Sequence, residues 1–205
     1  MTNTRALTGG RLWLRWSATS VVGIVIGFVL AAVAFIVTGL EEPTDPYFMI
    51  LFPAILAMVG TILGLAQAWV LRRAVGGVPG WTVVTAVGTA LGLAVAVTMP
   101  EGTGLAGRVA LGAVHGFAIG MILGTLQWLV LRRRLPGARW WVLVSVVAWS
   151  IGAATGDLVV TLAEPPVDLL VGFAVAAMAS GVGLAGLVGR SIIMDRGATL
   201  RVATE

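Results

Sequence analysis

The fold is decided by the stretch WSATSVVGIVIG, which occupies residues 16–27. Its pattern returns as WTVVTAVGTALG at residues 81–92 and as WVLVSVVAWSIG at residues 141–152. In each copy a tryptophan is followed by Ser or Thr, then by Gly or Ala, and then by Gly, at the same three spacings. Because an α-helix turns by about 100° per residue, these four positions fall on one narrow stripe. The chain is therefore predicted to be a triplication of one helical unit.

A second helical pattern lies between the copies. It reads GTILGLAQAWVLRR at residues 60–73 and GMILGTLQWLVLRR at residues 120–133. The third repeat lacks the glutamine and has Ala185, Gly186 or Leu187 near that position. We expect one transmembrane domain spanning residues 1–205, with hairpin repeats at about 16–73, 81–133 and 141–190.

Composition indicates an integral membrane protein. The chain is 59% hydrophobic and 11% charged, with a mean hydropathy of +1.02. A water-soluble domain of this length could not bury so much apolar surface, whereas a bilayer solvates it. A hydrocarbon core of about 30 Å requires about 20 apolar residues of helix. Six segments meet that requirement, at about 17–40, 48–71, 81–99, 108–131, 141–162 and 167–189. The predicted fold is an all-α bundle of six transmembrane helices.

The distribution of arginine predicts the orientation of this bundle. Twelve of the thirteen basic residues fall on the side of the two termini: Arg5, Arg11, Arg15, Arg72, Arg73, Arg132, Arg133, Arg134, Arg139, Arg190, Arg196 and Arg201. The opposite side carries Arg108 with six acidic residues: Glu41, Glu42, Asp45, Glu101, Glu164 and Asp168. Short loops rich in arginine stay in the cytoplasm, so both termini are expected there. The three hairpins then share one orientation in the membrane and are related by an axis along the membrane normal.

Tryptophans and arginines are concentrated at the same helix ends. We expect the tryptophans to form an interfacial aromatic belt, with Trp13, Trp16, Trp69, Trp81, Trp128, Trp140 and Trp141 as its members. The basic rim would attract anionic lipid. Charge that only sets topology is the simpler interpretation of the same arginines.

Five polar residues recur on the small-residue stripes and are predicted to join helices by hydrogen bonds. They are Gln67, Gln127, Ser20, Thr85 and Ser145. Their depths in the membrane match, since the glutamines precede the cytoplasmic arginines and the hydroxyls follow the cytoplasmic tryptophans. Thr85 and Ser145 are the two candidate partners of Gln127. A polar pathway between the hairpins is the alternative interpretation.

His115 and Asp157 are the only ionisable residues predicted deep inside the bundle. Each lies about 10 Å from the outer charged rim, so the two share a depth. Neither belongs to the repeat, because sixty residues earlier the chain has Ile55 and Val97. Their side chains are predicted to approach one another or to share water. A satisfied polar contact and a proton- or solute-handling site are both open at this point.

Catalytic chemistry is scarce in this sequence. The chain has no cysteine, no lysine, one histidine and one tyrosine, and it lacks the familiar metalloprotease, hydrolase and phosphate-loop motifs. We therefore expect no enzyme, with no catalytic, cofactor-binding or metal-ligating residues. We also expect no cofactor and no nucleic-acid partner.

The run LQWLVLRR at residues 126–133, followed by Trp140 and Trp141, resembles a repeat of uncharacterised bacterial multi-pass membrane proteins. The resemblance covers residues 16–152 well and the sixth helix poorly. It implies helical hairpins in a bacterial inner membrane and carries no activity or functional residue.

Two functions fit these observations. The first is a structural or accessory bundle that packs with itself or with a membrane partner. The second is a small transporter or channel with a polar site near His115 and Asp157. The scarcity of intramembrane ionisable residues favours the first.

Overall fold

The chain folds into helices throughout its described parts. The computed structural model describes residues 9–39, 48–100, 102–160 and 167–202, and the side chains of residues 9–39, 50–100, 102–159 and 171–188. Within these residues there are six α-helices and no β-strand, which confirms the all-α prediction. The helices are α1 (Gly9–Thr38), α2 (Phe48–Val75), α3 (Trp81–Ala96), α4 (Gly104–Leu131), α5 (Trp140–Val160) and α6 (Val167–Val202).

Five of the six helices are long and apolar enough to cross a membrane, and α3 is the shorter one. Its 16 residues span about 24 Å. The sequence predicted a longer segment, which continued to residue 99. The backbone N–H groups of Thr98 and Met99 donate instead to carbonyls three residues earlier. Pro100 explains this end, because it has no N–H to donate to the carbonyl of Ala96 and its ring would clash with that carbonyl in a helix.

Each helix packs against its neighbours in the sequence, and α6 also packs against α1. The six helices therefore close into a ring. The N-terminal parts of α1, α3 and α5 meet at one end of the ring, where Trp16, Trp81 and Trp141 are in contact. We call this end the tryptophan end.

Glycine seams lie at the contacts between consecutive helices. A Cβ atom on Gly64 of α2 would lie 2.9 Å from the Cα atom of Thr82 in α3. A Cβ atom on Gly120 of α4 would lie 2.6 Å from the Cα atom of Val146 in α5. Equivalent close approaches occur at Gly27, Gly60, Gly88, Gly92, Gly112, Gly116, Gly124 and Gly152. Close backbone contact through small residues is a main source of helix association in lipid.

Three of the tryptophans expected in the interfacial belt lie in the core instead. Trp16, Trp81 and Trp141 are 0%, 1% and 1% exposed. The belt prediction was wrong for them because it considered only depth along the helix. Because these tryptophans lie on the small-residue stripe, their indole side chains point into the interior of the bundle. Trp69 and Trp140 remain on the outer surface.

Part of the predicted charge asymmetry lies outside the described residues. This applies to Arg5, Glu41, Glu42, Asp45, Glu101 and Glu164, and to the side chains of Asp168, Arg190, Arg196 and Arg201. Among the described arginines, those in the last turn of α2 and those after α4 lie at the tryptophan end, and Arg108 near the start of α4 lies at the opposite end. We call that end the Arg108 end.

Candidate functional site

Gln67 connects the first three helices through two buried hydrogen bonds. The indole Nε1–H of Trp81 on α3 donates to Oε1 of Gln67 on α2 at 3.2 Å. The amide Nε2–H of Gln67 donates to Oγ of Ser20 on α1, also at 3.2 Å. An unpaired buried amide would cost several kcal/mol, whereas each interhelical hydrogen bond contributes about 0.6–2 kcal/mol in this setting.

Gln127 makes the same connections one repeat later. Nε1–H of Trp141 donates to Oε1 of Gln127 at 2.9 Å, and Nε2–H of Gln127 donates to Oγ1 of Thr85 at 3.1 Å. Of the two partners considered from the sequence, the hydrogen-bonded one is therefore Thr85. Sequence reasoning missed the indole donors. The signal was the fixed spacing from glutamine to tryptophan, which is the same in both repeats.

In the third repeat, a different residue accepts the hydrogen bond from the indole. Leu187, sixty residues after Gln127, is buried and apolar. Nε1–H of Trp16 donates instead to Oγ of Ser180 on α6 at 3.1 Å, and Ser180 in turn donates to the backbone carbonyl of Ala177. Each of the three indoles thus has a hydrogen-bond acceptor, which is buried for Trp81 and Trp141 and partly buried for Trp16, where α6 supplies it.

The three indole rings close the tryptophan end of the bundle. Their centroids lie 5.7–6.0 Å apart in edge-to-face geometry, an arrangement that aromatic rings favour. We call them the tryptophan triad. Beside the triad lies a cavity of about 20 Å³, enough for about one water molecule. Its polar lining includes Ser145 and Ser180.

His115 and Asp157 line one cavity at the Arg108 end. This cavity has a volume of about 440 Å³, with Arg108 also in its lining. His115 comes from α4 and Asp157 from α5. Apolar residues of α3 and of the turn after it, including Leu93 and Met99, complete its wall. We call this cavity the vestibule.

A smaller cavity continues from the vestibule towards the centre of the ring. It has a volume of about 170 Å³, and His115 and Asp157 line it as well. The vestibule and the smaller cavity thus share these two ionisable side chains. Gly112 lies directly beside the carboxylate of Asp157, at a position where a Cβ atom would collide with it.

The imidazole of His115 has one nitrogen with no protein partner among the described residues. Its Nε2 atom is buried and makes no hydrogen bond with them. Buried polar atoms are usually paired, because leaving one unpaired costs about 1–3 kcal/mol. The nitrogen thus carries this cost in a residue that lines two cavities together with Asp157.

Two aromatic rings separate the inner cavity from the small cavity beside the triad. Trp149 and Phe173 line both of these cavities. Their rings pack edge to face with centroids 5.3 Å apart, and Phe173 also contacts Phe28 on α1 at 5.0 Å. From the Arg108 end inward, the interior is thus a vestibule, a cavity, an aromatic barrier and the tryptophan triad.

Neither a metal centre nor a relative identifies the site. Within the described ranges, no group of three or more His, Cys, Asp or Glu residues is placed to hold a metal ion. Comparison with protein-family models, curated proteins and solved structures finds no match.

Proposed function

We propose that this protein is a multi-pass membrane protein that binds a small polar solute in the vestibule and moves it, or protons, along the ring interior. The observation that carries the proposal is that His115 and Asp157, from different helices, line the same two cavities. Cavities of a few hundred Å³ with apolar walls and a few polar groups are typical of small-molecule sites.

The energetic argument rests on the cost of ionisable groups in a membrane. A charged side chain inside the bilayer is expensive and usually marks a substrate, ion or proton pathway. His115 and Asp157 both depart from the apolar residues of the repeat. A bundle that served packing alone would gain stability by keeping isoleucine and valine at these positions.

The proposal includes an orientation in the membrane. All six helices span it as three hairpins of one orientation, and both termini face the cytoplasm because most arginines lie at that end. The vestibule then opens to the outside of a bacterial inner membrane. The tryptophan triad closes the cytoplasmic end. We further propose kinship with uncharacterised bacterial membrane proteins that carry the same helical-hairpin repeat.

Movement of a solute through the ring would require two barriers to open. The first is formed by Trp149 and Phe173, and the second is the tryptophan triad with its three hydrogen-bonded indoles. Because both barriers are built from helix-borne side chains, opening involves displacement of helices rather than of one loop.

The test is flux into liposomes that contain the purified protein. The panel includes protons, followed with an internal pH-sensitive dye, and labelled solutes that are anionic, cationic or zwitterionic. His115→Ala and Asp157→Asn should each abolish the flux seen with the wild-type protein. The matched control is Thr155→Val, because Thr155 lies on the same helix at similar depth and bonds only its own helix backbone.

Equal flux in the wild-type protein and the two vestibule variants would refute the assignment of the site. A specific observation favours the second candidate, a structural or accessory bundle: the tryptophan triad is almost completely buried. If no member of the panel crosses the membrane, and a partner copurifies equally with wild type and with His115→Ala, the accessory function is the better description.

A further inference from the structure

A groove on the outer surface of the ring runs between α4 and α5. Its walls include Phe117 and Met121 of α4 and Leu143 and Val146 of α5, and its volume is about 610 Å³. Phe117, Met121 and Leu143 are 52%, 40% and 52% exposed. The groove exists because the glycine seam of α4 brings the two backbones together while large side chains project outward on both sides.

One end of this groove is basic and aromatic. Arg139 and Trp140 line it, and both side chains are exposed. They lie where the connection between α4 and α5 enters the membrane interface, a position that suits tryptophan and arginine. The connection at residues 132–139 carries Arg132, Arg133, Arg134 and Arg139 and no acidic residue.

The arginines at the tryptophan end differ in their surroundings. The guanidinium of Arg73 lies over the ring of Trp69, at 3.7 Å from its centroid. Arg132 lies over Trp128 at 5.1 Å. Arg139, in contrast, stands at the mouth of an apolar groove. A guanidinium next to a groove is the arrangement that holds an anionic headgroup above an acyl chain.

The groove has the length of one leaflet. Gly116, the residue before Phe117, packs against the backbone of Trp149. Trp149 lies ten residues after Arg139 in the sequence. Ten helical residues rise about 15 Å, which is half of the roughly 30 Å hydrocarbon core. An acyl chain whose headgroup lies at Arg139 would therefore end near the bilayer midplane, beside Phe117.

We infer that this groove binds one anionic phospholipid, with its phosphate at Arg139 and one acyl chain between Phe117, Met121, Leu143 and Val146. Charge complementarity selects the occupant, because the four arginines of the connection favour a lipid with net negative charge over a zwitterionic one. The site is independent of the vestibule, which lies at the opposite end of the ring.

The test is native mass spectrometry of the purified full-length protein with added phosphatidylglycerol or with phosphatidylcholine of the same acyl chains. The wild-type protein should bind one phosphatidylglycerol more tightly than phosphatidylcholine. One arginine near an anionic headgroup contributes about 1 kcal/mol, so Arg139→Gln should weaken phosphatidylglycerol binding about fivefold. Arg139→Lys should restore most of the preference.

Two further variants distinguish the groove from the basic rim as a whole. Met121→Trp, at an exposed position, should fill the groove and weaken the binding of both lipids. Arg72→Gln, in the last turn of α2, should leave the binding of both lipids unchanged. Equal weakening by Arg72→Gln and Arg139→Gln would overturn the proposal, as would a wild-type protein that binds both lipids equally.

Discussion

The seam between α4 and α5 permits a sharp test of how this ring is held together. Substitution of Gly120 by alanine adds a single Cβ atom, which would lie 2.6 Å from Cα of Val146 and 2.7 Å from the carbonyl oxygen of Ser145. Ordinary contacts between such atoms are about 3.5–4.0 Å. Both neighbours are backbone atoms, so no side-chain rotation relieves the collision. The two helices must separate by about 1 Å.

The cost of this separation is estimated from two opposing effects. Overpacking a close-packed contact costs about 1–3 kcal/mol, whereas replacing glycine by alanine in a helix contributes about 0.5–1 kcal/mol in favour of folding. The expected net loss is about 1–2 kcal/mol, or roughly five- to thirtyfold in the unfolding equilibrium. Gly120→Leu should be more damaging, because its longer side chain meets the same backbone.

The matched control is Gly186→Ala on α6, where no atom lies within 4 Å of the added Cβ. It should change stability by no more than about 0.5–1 kcal/mol, and in the favourable direction. Leu129→Ala, at a position that is 37% exposed, is a second control. Unfolding is followed in mixed micelles of denaturing and non-denaturing detergent. Equal unfolding free energies for Gly120→Ala and Gly186→Ala would refute the seam as a source of stability.

Three further predictions concern the hydrogen bonds, the triad and the topology. Gln127→Leu should lower the unfolding free energy by about 1–3 kcal/mol by leaving a buried indole donor unpaired, and its double-mutant cycle with Thr85→Ala should give a coupling of about 0.5–1.5 kcal/mol; additivity would contradict that hydrogen bond. Trp16→Phe should cost about 2 kcal/mol through the lost ring contacts and indole bond; an unchanged melting temperature would contradict the role of the triad. A reporter fused after Arg134 should be cytoplasmic and one near Glu42 external; a cytoplasmic signal near Glu42 would contradict the proposed orientation.

The repeat made the helices predictable and gave the neighbours of several of them. Small residues at a fixed spacing lie on one face of a helix, so Gly60, Gly64 and Gly120 could be assigned to helix contacts from the sequence alone. The candidate partners of Gln127 followed from matched depth, and Thr85 is one of them. The end of α3 was not predicted because the apolar residues continue to residue 99. The helix ends earlier because Pro100 cannot donate a hydrogen bond to the carbonyl of Ala96.

The closure of the ring and the tryptophan triad required the structure. A stripe pattern specifies which face of a helix is buried but not which neighbour it meets. For that reason the sequence predicts an interfacial position for the indoles of Trp81 and Trp141, whereas they donate hydrogen bonds to Gln67 and Gln127. The cavities could not be predicted from the sequence either, since a cavity depends on side chains from several helices at one depth.

The vestibule arises where the second repeat departs from the first. In the first repeat, Ile55 packs in an apolar cluster with Val59, and Phe52 contacts Phe35 with ring centroids 6.2 Å apart. Sixty residues later the chain has Gly112 in place of Phe52 and His115 in place of Ile55. Loss of the phenyl ring makes room for the carboxylate of the neighbouring helix, and the imidazole then faces a cavity where its counterpart faces packed side chains. The second repeat thus lacks the apolar packing that Ile55 makes in the first repeat. The first repeat shows that apolar side chains can fill this part of the scaffold, so a cavity lined by His115 and Asp157 in the second repeat supports a function for this sector of the ring.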